Sequence, residues 1–440
     1  MKKGLAWATA LLALPGCLAA QQKRMPPLPP PTGPAAAPEP APGAAAKISL
    51  EEAIRLALQH NHALQAARTT IQQNQAQETT ANLRPNPTLS WDSQFFPLFS
   101  PGQFSADYIA NQAQFDVGIG YLFERGKKRQ HRLQAARDQT AVTTSQVDDN
   151  QRTLIFNTSQ QFIAVLLAES TLQLAQQDVA SFQETVNISE ARFKAGDMSE
   201  GDLLKIKLQL LQFQSDLATA KVAKVQALAA LRQFLGYESV SDDFDVQGEL
   251  DYQPVHGAIE DLKGLAARNR PDLRAAQQAV TAARSQEALM QANGKKDLGV
   301  TFDYTHTAGI NSGAFFFNID LPIFDRNQGE IARTRYAIVQ AEQQAIETAQ
   351  QVNTDVTDAY GALRSNDEII QLYRGGYVDE AKQSLEITEY SYHRGSASLL
   401  DFLDAERTYR ANQLAYRQAL ASYMTAVEQL RQAVGTRSLP

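Results

Sequence analysis

A single cysteine, Cys17, stands in the 440 residues, and it falls in the leader, so no disulfide can form within the mature chain. The six histidines are scattered. His60 and His62 lie two apart in a helical stretch and point in different directions, so they make no metal pair. Beyond the N-terminus no stretch approaches the roughly 20 apolar residues that a membrane helix needs, and any membrane insertion must use strands. Positive charge is not in excess: the net charge of -7 and pI of 5.5 offer no face that could neutralise phosphates, which excludes a nucleic-acid partner. A Walker-type loop, a nucleophile elbow and a metal-ligand cluster are all missing, so neither catalysis, nor a bound cofactor, nor a private energy source is expected.

What is present begins with an export signal. Met1-Lys2-Lys3 and the apolar run from Leu5 to Leu14 give residues 1–20 the charged-then-apolar plan of a secretory leader. Cys17 follows Leu14-Pro15-Gly16, which resembles the box at which bacterial lipoproteins are cleaved and acylated; plain cleavage near Ala20 is the alternative. Residues 21–46 hold nine of the eighteen prolines and read as an extended tether.

After the tether the chain repeats itself. Leu50, Glu51, Glu52, Leu56, Ala57 and Leu64 recur 209 positions later as Ile259, Glu260, Asp261, Leu265, Ala266 and Leu273. Gly196, Asp202, Leu204 and Gly236 recur 199 later as Gly395, Asp401, Leu403 and Gly435. Two halves, 47–236 and 257–436, therefore share one plan, joined by a Ser/Asp/Gly/Pro-containing linker at 237–256 and followed by a short tail at 437–440.

Most of each half reads as helix. Ser49 and Glu52 offer a cap for a helix expected to run from about 49 to 83. Val165, Leu172, Val179, Val186 and Phe193 recur every seven residues, the seam of a coiled coil. The stretches 126–195 and 327–394 contain no proline and, as continuous helices, would each reach on the order of 100 Å, too long for an ordinary globular bundle.

Four short strands interrupt the helices, two per half, expected at about 88–96, 114–123, 298–306 and 314–322. Val117, Ile119, Tyr121 and Phe123 alternate with Asp116, Gly118 and Gly120, and Val300, Phe302 and Tyr304 alternate with Thr301 and Asp303. One apolar face and one polar or small face suit a barrel wall between lipid and water; a half-buried soluble sheet is the competing reading. Known membrane barrels need about eight strands or more, so four strands require oligomerisation, and a trimer supplies twelve.

LEEAIRLALQHNHALQAAR at 50–68, RPNPTLSW at 84–91, NRPDLRAA at 269–276 and the paired glycine turns together resemble the TolC family of outer-membrane efflux ducts over residues 48–436. YLFERGKKRQHR at 121–132 and LPIFDRNQGEIARTR at 321–335 are most similar to the branch that works with heavy-metal pumps of the resistance-nodulation-division class. The resemblance implies a mainly α protein with a small transmembrane β part. Three copies build a twelve-stranded barrel in the outer membrane above a periplasmic α-helical tunnel. It also implies a periplasmic adaptor (membrane fusion protein), an inner-membrane pump and outer-membrane lipid as partners. A drug or type I secretion duct of the same fold, a porin-like import channel and a structural periplasmic coiled coil are the alternatives.

By that resemblance the two glycine turns lie at the periplasmic tip. The stretch Gly395 to Ala405 matches the family pattern that carries gate carboxylates, placing them at Asp401 and Asp404, and Tyr392 and Asp202 match a phenol-to-carboxylate link between hairpins. The family's gating arginine is replaced by Ala397, with Lys194 and Arg394 the nearby cations. Gly196, Gly395, Leu203, Leu204, Phe402 and Leu403 are the expected adaptor-docking residues.

Overall fold

The computed structural model describes residues 47–439. The leader over 1–20, Cys17 with its proposed acylation, the tether over 21–46 and Pro440 lie outside the described residues.

Ser49 caps the first helix by accepting the Glu52 N–H at 3.3 Å, while the Glu52 carboxylate turns to Arg55 at 3.0 Å rather than back to the cap. The helix expected over 49–83 is two, α1 (Leu50–His60) and α2 (His62–Ala81), because Asn61 leaves the helical region at φ -65, ψ 114. Its side chain accepts the Leu64 N–H at 3.1 Å and so starts α2. The first half continues through α3 (Ala106–Asn111), α4 (Lys128–Ala195) and α5 (Glu200–Leu235). The second half contains α6 (Ile259–Asn269), α7 (Pro271–Asn293), α8 (Gln328–Leu372), α9 (Val378–His393) and α10 (Leu399–Val434).

At 68 residues α4 is unbroken and about 100 Å long. Its counterpart is not: a π-turn over Tyr373–Tyr377, with Gly376 at φ 127, separates α8 from α9. Gly375 and Gly376 lose the most backbone freedom on entering a helix and so weaken it there, and only glycine takes that φ cheaply.

Asn61 and Arg270, 209 apart, begin α2 and α7 and do one job with different chemistry. The Asn61 amide donates to the Phe234 carbonyl at 3.2 Å. Arg270, 5% exposed, donates to the Ala433 carbonyl at 3.3 Å, 199 residues past Phe234, and also to Asp355 at 2.7 Å and Asp272 at 2.9 Å. The linker is packed rather than loose. Phe244 and Val246 are buried among Leu231, Leu235 and Phe162, and Asp245–Val246 (β4) pairs in parallel with Lys47–Ile48 (β1).

The remaining strands form one antiparallel sheet in the order β2 (Thr88–Gln94), β3 (Gln114–Phe123), β5 (Leu298–Thr307), β6 (Ile310–Ile319). The last strand starts four residues before its expected place because Ala308 and Gly309, at φ 52 and 75, make a two-residue turn. Leu89, Trp91, Ile119, Phe302, Phe315 and Phe317 stand bare on one face, the last at 71% exposed. Among the described residues both edges, β2 and β6, are unpaired.

Where strands become helices, four passages of chain meet at one level. Arg132 donates to the Ala81 and Leu83 carbonyls at 2.9 and 3.0 Å and pairs with Glu124 at 2.8 Å. Lys128 pairs with Asp297 at 2.7 Å, and the Asn327 amide reaches the Met290 carbonyl at 2.7 Å. Among the described residues no helix is long and apolar enough to cross a membrane.

Candidate functional site

Far from the sheet each half ends in a helical hairpin with the same four-residue tip, Gly196-Asp197-Met198-Ser199 and Gly395-Ser396-Ala397-Ser398. Gly196 and Gly395 adopt φ 86 and 77, a region side chains resist, and among the described residues nothing beyond the adjoining chain lies within 4 Å of where a Cβ would stand on either. The first donates to the Phe193 carbonyl at 3.0 Å while Asp197 reaches back to Arg192 at 2.9 Å; the second tip repeats this with Tyr392 and Ser391.

Ser199 and Ser398 cap the returning helices and fix the two aspartates that follow. Asp401 closes a full capping box, accepting the Ser398 N–H at 3.0 Å and its hydroxyl at 2.7 Å, which hold its carboxyl below the usual range. Asp202 accepts the Ser199 hydroxyl at 2.8 Å and pairs with Lys205 at 3.2 Å, and is lowered by both. Asp404 is exposed and pairs with Arg407 at 2.7 Å.

Tyr392 is buried between the hairpins, stacked on Phe402 at 5.2 Å with the Arg192 guanidinium 5.5 Å over its ring. Its hydroxyl faces Ser189 without hydrogen-bond geometry and makes no bond to Asp202. Burial pushes the phenol up, Arg192 pulls it back, and the Asp202 charge raises it again, so the carboxylate lies within electrostatic reach. Phe402, 2% exposed, belongs to the cluster that joins the hairpins, and Leu203 is buried as well, at 7% exposed. In the single chain neither Leu203 nor Phe402, both expected to dock an adaptor, is exposed. Leu403 is half-buried against the same cluster, and Leu204 and Leu400 are exposed. Lys194 is exposed, and Arg394 lies over the Tyr390 ring at 5.3 Å.

From Tyr392 a ladder of rings climbs away from the tip: Phe402 lies 6.4 Å from Phe182, and Phe182 meets Phe213 edge-on at 5.0 Å. Arg410 covers Phe213 at 4.7 Å and joins Asp178 of α4 at 2.9 Å to Asp216 of α5 at 2.5 Å. One cation of the second hairpin thus clasps two carboxylates of the first. Burial pushes Asp178 up against the opposing pull of Arg410. One turn before Arg410, Glu406 has no ion-pair partner among the described residues, and its carboxyl is pushed up to about 7 by burial, with Asp178 and Glu389 adding to the shift and Arg410 opposing it. The sequence reading missed this network because its members come from three helices with no local spacing to mark them.

Leu204, Leu208, Leu211, Val222 and Val225 form an exposed apolar stripe at heptad spacing along α5, and Tyr336, Val339 and Ile346 form one along α8. Among the described residues no group of three or more His, Cys, Asp or Glu side chains is placed to hold a metal ion.

A bare-faced, open-edged sheet carried on long helical hairpins is the architecture of TolC-like channel subunits. A crystal structure of CusC superposes with a TM-score of 0.74 at 20% identity, covering 88% of this chain and 92% of that one. The outer membrane protein VceC of Vibrio cholerae gives 0.70 at 19%, covering 88% and 96%. The chain belongs to the outer membrane efflux protein family, whose profile matches residues 53–237 and 262–436, one block per half. Relatives include the cobalt-zinc-cadmium resistance protein CzcC of Cupriavidus metallidurans, 25% identical over 89% of this chain and 91% of that protein. The cation efflux system protein CusC of Escherichia coli is 23% identical over 80% and 79%.

Proposed function

We propose that three copies of this chain close a twelve-stranded barrel in the outer membrane and a helical tunnel in the periplasm. Through this duct an inner-membrane pump and a periplasmic adaptor would export heavy-metal cations. The observation that carries the reading is the sheet, whose apolar face is exposed and whose β2 and β6 edges are unpaired. A single sheet of four strands cannot satisfy those edges in lipid, whereas edge-to-edge pairing of copies can. The stripes on α5 and α8 support the same assembly, since each needs a partner helix.

At the tips, Asp401 and Asp404 lie three apart on α10, and three copies would bring six carboxylates to one bore. Gly196, Gly395, Leu204 and Leu400 are the exposed positions for adaptor docking. The names of CzcC and CusC support a cationic cargo. Deleting the gene and testing sensitivity to copper, zinc and cobalt beside a drug panel decides the cargo. Drug sensitivity alone would move the reading to drug export, and a monomer that migrates identically with and without heating would reject the duct.

A further inference from the structure

The sheet region itself contains no lysine or arginine: residues 86–122 and 298–321 carry only acids among their fixed charges. Cations gather instead at the one level where strands become helices, set by the cross-links of Arg132, Lys128 and Asn327. Glu124, Asp297 and Asp325 each take up one cation there, pairing with Arg132, Lys128 and Lys296. Arg84, Arg125, Lys127, Arg129, Lys295 and Arg326 have no carboxylate partner among the described residues, and Asp320 is the one unpaired acid nearby.

These cations alternate with exposed rings. Phe123 and Phe324 are 50% and 89% exposed, and Tyr121 packs edge-on against Phe123 at 4.8 Å on the bare apolar face. Arg84, Lys128, Arg129, Tyr121 and Phe123 line a cleft of about 260 Å³ at the β2 edge. Surplus positive charge next to a lipid-facing wall attracts anionic headgroups, and aromatic rings settle at that depth.

We propose that this collar binds the headgroup phosphates of anionic phospholipids in the inner leaflet of the outer membrane, with Arg84 and Arg129 holding the phosphate and Tyr121 and Phe123 the upper acyl chain. The charge asymmetry selects the source: the opposite end of the strands, where lipid A phosphates would lie, offers no lysine or arginine to receive them. The inference rests on the membrane-duct reading.

The test is reconstitution of the full chain into vesicles of phosphatidylcholine containing phosphatidylglycerol or lipid A, with native mass spectrometry of the lipids retained after detergent stripping. Phosphatidylglycerol should be kept over phosphatidylcholine, and 0.5 M salt should abolish the preference. Arg84→Gln with Arg129→Gln should weaken it on the order of tenfold, at roughly fivefold per charge less screening, while Lys221→Gln with Lys382→Gln should not. Heat-modifiable migration in the same vesicles reports the barrel separately. A heat-modifiable oligomer without class preference, with a preference for lipid A, or with a salt-insensitive preference overturns the collar and leaves the duct standing. No heat-modifiable species overturns both.

Discussion

Replacing Glu406 by glutamine tests whether the joint between the two hairpins carries a proton-dependent strain. The carboxyl stands at about 7 against an ordinary value of 4.5, so between those limits the folded chain binds a proton that the unfolded chain has released. The stability linked to this group is fully present below pH 4.5 and is lost as pH rises through 7. Two and a half units at about 1.4 kcal/mol each come to between about 3 and 4 kcal/mol. Glutamine keeps the shape and removes the charge. At pH 8 Glu406→Gln is expected to be more stable than wild type by up to about 3 to 4 kcal/mol, and at pH 5 the two should agree within about 0.5 kcal/mol. The measurement is the urea midpoint of the helical circular-dichroism signal of the full chain in detergent, at both pH values. If wild type lost no stability between pH 5 and 8, or if glutamine weakened the protein at pH 8, the carboxyl would have a compensating partner and the reasoning would fail.

Arg270→Gln should cost about 3 kcal/mol, because Asp272 and Asp355 lose their buried partner; denaturant unfolding measures it, and a loss below about 1 kcal/mol would contradict the clamp. Asp272 is raised by burial but held below its usual range overall by Arg270, so its contribution is present above about pH 4 and vanishes as pH falls through the lowered value. That acid limb should be absent in Arg270→Gln. Asp401→Ala with Asp404→Ala should raise single-channel conductance and weaken block by divalent cations in planar bilayers, and unchanged block would sink the gate assignment. Tyr392→Phe keeps the stack on Phe402 and deletes a buried hydroxyl without a bond, so stability should hold or rise by up to about 1 kcal/mol. A clear loss would reveal a working link to Asp202 in the assembled channel.

The strands were legible because period-two alternation survives in 114–123 and 298–304, where every second side chain faces the same side. The early start of β6 was not, since Ile310, Asn311, Ser312 and Gly313 show no alternation and only the Ala308-Gly309 turn reveals the register. The break at Asn61 carries neither proline nor glycine, and the sequence marks it only by the capping amide. Gly375-Gly376 was a visible signal inside a proline-free run, and helix periodicity alone passed over it. The two halves were legible because equivalent residues keep fixed offsets. Asp178, Asp216, Glu406 and Arg410 keep none, and only packing brings them together.

The uneven continuity of the two long helices gives the halves different mechanics. A helix of 68 residues with every turn intact behaves as a post, stiff along its whole length and tied to its neighbours from junction to tip. The other is an arm with an elbow, because the five residues from Tyr373 to Tyr377 concentrate any bending at one height and Gly376 supplies the backbone freedom. Because the ring ladder and the Arg410 clasp tie the two hairpins together between tip and elbow, bending at the elbow would carry both tips with it. In the proposed trimer, posts and arms would alternate, with one such elbow in each copy.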